Sequence, residues 1–582
     1  MSTFKLPNTQ GLIRTNYKSD KYGELWETFG IDLQSEGKVK SSRKMVKVKD
    51  VNDDANFGEV VGLQTFDSNH YSVTQSGTGK EIYRCSVLSD PTVEDNWVKY
   101  NSNGNFSDET DTTVFGGLLL ISSATDIFST TGSIDTTNWW TGTVSGTTLT
   151  SSPHVLEVLR SGQETLFVTD GNLVRYYNAT SGHSTVTLQT DLVANTMHRG
   201  GQSMWVGTQT ETNENALVYE IYVGEQLDGT PIARNAFPVD GRAVLWLRVV
   251  DGIPYVLTDK GHIQRFNGVG FVTVPNASLP FAFTNESLDG VRAGNVSENP
   301  LNRPVHHAGA DVNNQSVYFL LNAKMYNEDK VPTRCSSGIW EFNTVTQQLN
   351  HRSALVETTA QNGFHLFASS GPLMVINNPE TLYLSGGQLF GKDAGLFAES
   401  NSFYGYITTI EIESGTIQDA LEAQYIKAKT LTGSDNIELK YRTVSRNRQV
   451  VSGIWVNSTT FNTTDTVVVE EGDEFTLQEG TSAGKTAHVV SVSTSDTVTV
   501  INLDTAIGTA DEVDTTEITN FHTFKKNDDS GARVSDTYTS TNAEYKKYGA
   551  DEVNTWIQYK IVFNGEVEMR EFISKGTAST GM

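Results

Sequence analysis

A strand–turn–strand unit recurs along this chain about every 45 residues, and no other feature narrows its possible folds so far. The clearest pair is Leu166-Phe-Val-Thr-Asp-Gly-Asn-Leu-Val-Arg-Tyr-Tyr-Asn178 against Tyr255-Val-Leu-Thr-Asp-Lys-Gly-His-Ile-Gln-Arg-Phe-Asn267, with a looser copy from Met204 to Tyr222 between them. Extended in both directions, the repeat puts aromatic anchors at Tyr83, Phe128, Tyr176, Tyr219, Phe266, Trp340 and Phe390, with spacings of 45, 48, 43, 47, 74 and 50. That period is the length of a four-stranded propeller blade. The long interval holds the loop-like stretch from Asn285 to His307, which reads as an insertion in one blade. The expectation is an all-β chain with a β-propeller of about seven blades over residues 55–400. An irregular tandem of β-sandwiches is the alternative.

Outside that span the pattern changes but stays β. Short apolar or alternating runs bounded by Gly, Asn, Asp and Ser dominate throughout, and helical periodicity is nearly missing. Residues 401–463 and 521–582 read as the halves of an antiparallel β-sandwich, interrupted by a small β-unit over 464–520. This insert holds twelve acidic residues and one lysine, Lys485. The first 54 residues form a basic arm with a strand hairpin, in which Lys38, Lys40, Arg43, Lys44, Lys47 and Lys49 cluster around Met45-Val-Lys-Val-Lys49. Two readings fit the cluster: an arm that docks on an acidic neighbouring subunit, and an edge strand guarded by lysines.

The net charge of −26 argues against a nucleic-acid binder, because phosphate binding needs a cationic surface. Only 19% of residues are charged, so Thr, Ser, Asn and Gln supply much of the polarity. Two cysteines, Cys85 and Cys335, are too few for a disulfide framework and read as buried thiols. No signal peptide is expected from the opening residues, and no apolar run approaches a membrane span. A protein made in a cytoplasm and working outside a cell, as virion parts do, fits this mixture.

The chemical motifs are weak. Gly480 to Thr486 imitates a P-loop but is one residue short and leads into a strand, where phosphate binding needs a helix. Asp50 to Asn56 spaces oxygen ligands like a calcium loop yet has Ala55 and Val61 where Gly and Glu are required. Asp511, Glu512, Asp514 and Glu517 form a further acidic cluster. Ser133 to Trp140 partly matches a sialidase Asp-box, with Thr137 in place of its glycine. No zinc motif or nucleophile elbow occurs, so the expectation is a non-enzyme without cofactor or metal. Trp139, Trp140, Phe281 and Phe283 are candidates for a glycan or protein contact, since aromatic faces stack on sugars and anchor interfaces; filling the inter-blade core is the competing reading.

Gly23-Glu-Leu-Trp-Glu-Thr-Phe-Gly-Ile-Asp-Leu33 with Gly37-Lys-Val-Lys-Ser-Ser-Arg43 near the start, and Ile437-Glu-Leu-Lys-Tyr-Arg442 with Trp556-Ile-Gln-Tyr-Lys-Ile near the end, resemble tail structural proteins of tailed bacteriophages. Gly472-Asp-Glu-Phe and Gly484-Lys-Thr-Ala-His-Val-Val are similar to small β-units of such proteins. The resemblance implies a virion tail protein (nozzle, hub or tip) that forms homo-oligomers, meets other tail proteins and serves host attachment or DNA passage. It carries no catalytic residues. A receptor- or glycan-binding propeller and a sialidase-like glycoside hydrolase are the alternatives.

Overall fold

The computed structural model describes the chain from Ser2 to Ala578 apart from internal segments, the longest being 7–24, 279–309 and 355–366. Six four-stranded antiparallel sheets follow one another over residues 59–103, 112–138, 156–187, 192–238, 244–278 and 310–354. A seventh sheet begins with Phe367–Asn377, Thr381–Leu389 and Ala394–Thr409. The first strands of successive sheets neighbour one another, and Phe367–Asn377 returns to lie against the first strand of the first sheet, Glu59–Phe66. The ring is therefore closed, with seven blades.

The repeated sequence unit is the hairpin of the second and third blade strands. Thr165–Asp170 is buried throughout, while Leu173–Asn178 alternates between buried and half-buried residues. Gly171 at φ 66° and Gly261 at φ 75° make the corresponding turns of the third and fifth blades, a conformation open to glycine at little cost. Six of the seven aromatic anchors fall on third strands, from Tyr83 in Gly79–Ser86 to Trp340 in Gly338–Asn343. Phe390 lies outside the described residues, and the seventh blade's third strand is Ala394–Thr409. Part of the long interval in the sixth blade is a two-stranded hairpin, Lys324–Tyr326 with Pro332–Cys335, between its second and third strands.

Blade faces pack through aromatic contacts, including Trp205 on Phe266 (5.2 Å) and Trp246 on Phe319 (5.3 Å). Polar side chains on or beside the inner strands tie neighbouring blades. Asp111 Oδ2 accepts the Leu156 N–H at 2.7 Å, Asp311 Oδ2 accepts the Val375 N–H at 3.0 Å, and Asn195 Nδ2 donates to the Val244 carbonyl at 2.9 Å. These bonds satisfy backbone groups that the blade ladders leave over. Burial pushes the Asp111 carboxyl up to about 8, although the backbone N–H groups of Leu156 and Thr112 work against it.

The outermost strand of the seventh blade comes from the other end of the sequence. Arg43–Asp50 pairs antiparallel with Ala394–Thr409, from Gly395 opposite Asp50 to Phe403 opposite Arg43. The expected boundary at residue 54 is thus displaced: the basic strand is part of the propeller and closes it. The remaining N-terminal strands join the sandwich. Ser2–Leu6 and Val39–Ser41 pair with Val567–Ala578 in one sheet, and Leu25–Phe29 pairs with Ala394–Thr409 in the other. Ala394–Thr409 itself belongs to both bodies, since Tyr404 to Thr408 leave the blade and pair with Asn564 to Lys560. One apolar core runs from Trp246, Phe319 and Trp340 of the blades to Ile407, Ile426, Ile561 and Phe572 of the sandwich.

The insert is a closed six-stranded barrel that starts at Gln449, not at 464. Gln449–Asn457 and Thr460–Thr463 belong to it because Trp455 and Phe461 form its core with Phe475, at ring separations of 5.2–5.9 Å. Closure leaves no open edge in the barrel.

Candidate functional site at the propeller–sandwich junction

Where the seventh blade passes into the sandwich, the chain forms a half-open pocket of about 330 Å³ lined by many charged side chains. The N-terminal crossing contributes Asp32, Lys40, Ser41, Ser42 and Arg43; the sixth and seventh blades contribute Arg352, Tyr383, Glu399 and Phe403; the sandwich contributes Lys429, Glu566 and Glu568. Arg352 is central. Its Nη1 lies 2.8 Å from Asp32 Oδ2 and 3.8 Å from Glu341 Oε2. Burial works against its charge, but Asp32 and Glu341 outweigh that and hold the guanidinium protonated. Glu399 is 4% exposed and accepts a hydrogen bond from Ser353 Oγ at 2.9 Å. Burial pushes its carboxyl up to about 7, opposed mainly by Arg352. Tyr318 donates to Glu341 at 2.9 Å, and burial raises both the Tyr318 and Tyr383 hydroxyls. The cluster thus gathers buried carboxyls, raised by burial, around one buried guanidinium where two packed bodies meet.

Sequence reasoning brought forward Lys40 and Arg43 of this site but not Arg352, Glu399 or Tyr383. Those lie on different strands, and no local spacing marks them. Of the basic cluster, Lys38 pairs with Glu568 (3.2 Å) and Lys49 with Glu94 (3.6 Å). Arg43 and Lys44 sit over the Phe403 and Tyr404 rings at 6.0 and 5.2 Å, and burial lowers the Lys44 ammonium. Lys47 stands opposite Phe397, and Lys40 opposite Glu568. The cluster is engaged with its own chain, as a closing edge strand, which corrects the picture of a free docking arm.

Two of the four aromatic candidates, Trp139 and Trp140, are corrected as well. Trp139 is 7% exposed and Trp140 is fully buried, next to and within the π-helical turn Trp140–Val144. Trp139 packs on Phe115 (5.9 Å) and Tyr177 (5.6 Å) between the second and third blades. Blade sheets bury both faces, so a large aromatic at this position fills the core rather than meeting a partner. Phe281 and Phe283 lie outside the described residues, as do most of the calcium-like stretch, the Gly480–Gly484 loop and the first half of the Asp-box match. Asp514 of the acidic cluster is buried and accepts the Trp455 Nε1–H at 2.7 Å. Among the described residues no group of three His, Cys, Asp or Glu is placed to hold a metal. Cys85 is buried and unbridged, and burial pushes its thiol up to about 11.

A second buried cluster joins barrel to sandwich. Glu474 accepts from Lys440 Nζ (3.1 Å) and Lys560 Nζ (2.7 Å), with all three residues at most 5% exposed. His488 bridges Lys440 (3.3 Å) and Asp504 (3.1 Å), and Lys560 also lies 4.4 Å from the Tyr406 ring centre. A third group involves the inner strands: Arg248, on the first strand of the fifth blade, is buried and feels the charges of Asp311, Glu157 and Asp111 of the sixth, third and second blades.

Among the described residues no helix is long and apolar enough to cross a membrane. No family model and no curated protein matches the chain. Solved structures with a similar course include virginiamycin B lyase from Staphylococcus aureus, 9% identical over 61% of this chain and 98% of that one, with a TM-score of 0.33. A streptogramin B lyase is 10% identical over 59% of this chain and 95% of its own, with a TM-score of 0.34. An exo-β-1,3-galactanase from Phanerochaete chrysosporium is 9% identical over 91% and 98% of the two chains, with a TM-score of 0.26. What the chain's own strand order establishes is its class: an all-β protein with a seven-bladed propeller, a β-sandwich and an inserted barrel.

Proposed function

We propose that this chain is a non-enzymatic structural component of a tailed-phage virion, an oligomeric tail protein that works in the nozzle, hub or tip. The reading rests on the sequence resemblance at both ends. One structural observation supports it: the N-terminal strands complete the last propeller blade and both sandwich sheets. A body latched in this way resists shear between its parts, which suits a component that transmits load. In this role the acidic surface keeps a passing genome from adhering, by like-charge repulsion.

Mass spectrometry and immunogold labelling of purified virions test the proposal. The chain is expected in stoichiometric amount at the tail. Its absence from virions would overturn the reading, and turnover of host surface polysaccharide by the purified protein would overturn its non-enzymatic part.

A further inference from the structure

The barrel carries an apolar knob on an acidic body. Its near end is fixed by Glu474, which stands opposite Thr519 and binds the sandwich lysines. Gln449 lies opposite Ile518 at that same end, so Ile454 opposite Val513 marks the far end. There Val513 is 71% exposed, Val456 51% and Ile454 43%, while Trp455 between them turns inward. The far-end loop is tied to this strand, with Asp511 donating to the Trp455 carbonyl and Trp455 to the Glu512 carbonyl, and to the turn after it, with Ile507 and Gly508 donating to the Ser458 carbonyl; it exposes Ala506 and Ala510. Branched apolar side chains exposed side by side at one end of the barrel mark an interaction site. Twelve acidic residues against one lysine over 464–520 set the charge its partner must match.

A surface of that chemistry stands on the same chain. On the outer face of the first sandwich sheet, Lys427 lies opposite Tyr545 and Tyr425 opposite Lys547. Directly paired residues share a face. Tyr545 is 52% exposed, Lys547 is exposed, and Lys427 Nζ sits 5.0 Å from the Tyr545 ring centre. The strand carrying Tyr545, Glu544–Gly549, ends the strand order of its sheet. Glu571 stands opposite Lys427 on the same face and accepts the Tyr545 hydroxyl, so two tyrosines, two lysines and one glutamate leave apolar area with a net positive charge, the complement of the knob.

We infer that the barrel tip of one copy docks on the Tyr425–Lys427–Tyr545–Lys547 face of a second copy. The inference rests on the reading of the chain as an oligomeric structural protein and names its self-contact. Tip and face are different surfaces, so the contact is head-to-tail and builds a ring or filament rather than an isolated twofold dimer.

Mass photometry and light scattering on the purified full chain test this with two variants, Ile454→Lys/Val513→Lys at the tip and Lys427→Glu/Lys547→Glu on the face. Wild type is expected to assemble at low salt and to weaken as salt rises, and each variant alone to be monomeric. Their equimolar mixture is expected to give heterodimers and nothing larger, because one intact tip and one intact face remain. Circular dichroism checks that each variant folds; should the lysine pair unfold the barrel, Val456→Ser/Val513→Ser takes its place with the same expectations. A wild type that stays monomeric at tens of micromolar, variants that assemble as wild type does, or a mixture without heterodimers would overturn the inference. A chain present in virions but monomeric defeats only this contact, whereas head-to-tail assembly by a chain absent from virions defeats only the virion reading.

Discussion

Replacing Glu474 by alanine should loosen the barrel from the sandwich. The carboxylate stands between Lys440 and Lys560 at 3.1 and 2.7 Å, and none of the three side chains meets bulk water. Glu474 belongs to the barrel strand Glu474–Leu477, whereas the lysines lie on sandwich strands Asn436–Arg442 and Trp556–Asn564, so this triad is the joint. Removing one member of a buried ion cluster leaves its partners uncompensated, at a cost of about 3–5 kcal/mol. The Tyr406 ring beside Lys560 and Glu438 at 3.8 Å from Lys440 recover part of that, so the lower half of the range is expected. The triple variant Glu474→Leu/Lys440→Met/Lys560→Met removes the three buried charges together and should cost about 1 kcal/mol or less. The lysines hold the Glu474 carboxyl well below the usual carboxylate range, even though burial alone would raise it. Its stabilising contribution is therefore full above the unfolded carboxylate pKa and is lost as pH falls through the depressed folded value. Urea unfolding followed by tryptophan fluorescence, with Trp455 reporting the barrel, measures both effects. An alanine variant within about 0.5 kcal/mol of wild type, or a triple variant as unstable as the single one, would refute the argument.

Three further outcomes follow from the same structure. Glu399→Gln should be nearly neutral at pH 5 and stabilising at pH 8: a carboxyl raised from 4.5 to about 7 in the folded chain costs stability as pH rises through that window, about 3 kcal/mol once fully ionised, which paired thermal melts would read. Trp140→Ala should cost about 3–5 kcal/mol by emptying the packing between the second and third blades, and a variant that melts like wild type would show that the residue is not core. Gly508→Ala drives a Cβ into the Trp455 ring and should destabilise the barrel by about 1–3 kcal/mol, visible as a lower urea midpoint for Trp455 fluorescence.

The acidic, helix-poor composition and the repeat of about 45 residues pointed to a propeller of about seven blades, because blade hairpins are local: the strand, the turn glycine and the aromatic of the third strand lie within a dozen or so residues. The same locality made the C-terminal sandwich and the acidic insert visible. What pairs over distance was not. Arg43–Asp50 reads as a lysine-guarded strand on its own, and only the closed ring shows that it is the missing fourth strand of a blade whose other three lie more than 300 residues away. The barrel begins at Gln449 because Trp455 needs Phe461 and Phe475 around it, a condition set by closure. Arg352 and Glu399 meet Asp32 only where three separate stretches of chain cross. Sequence by itself determined the period, the class and the uneven charge, all of which follow from neighbours along the chain. Tertiary structure alone decided which tryptophans are core, which lysines are taken up internally and where the buried charges converge, since burial and ion pairing depend on distance in space.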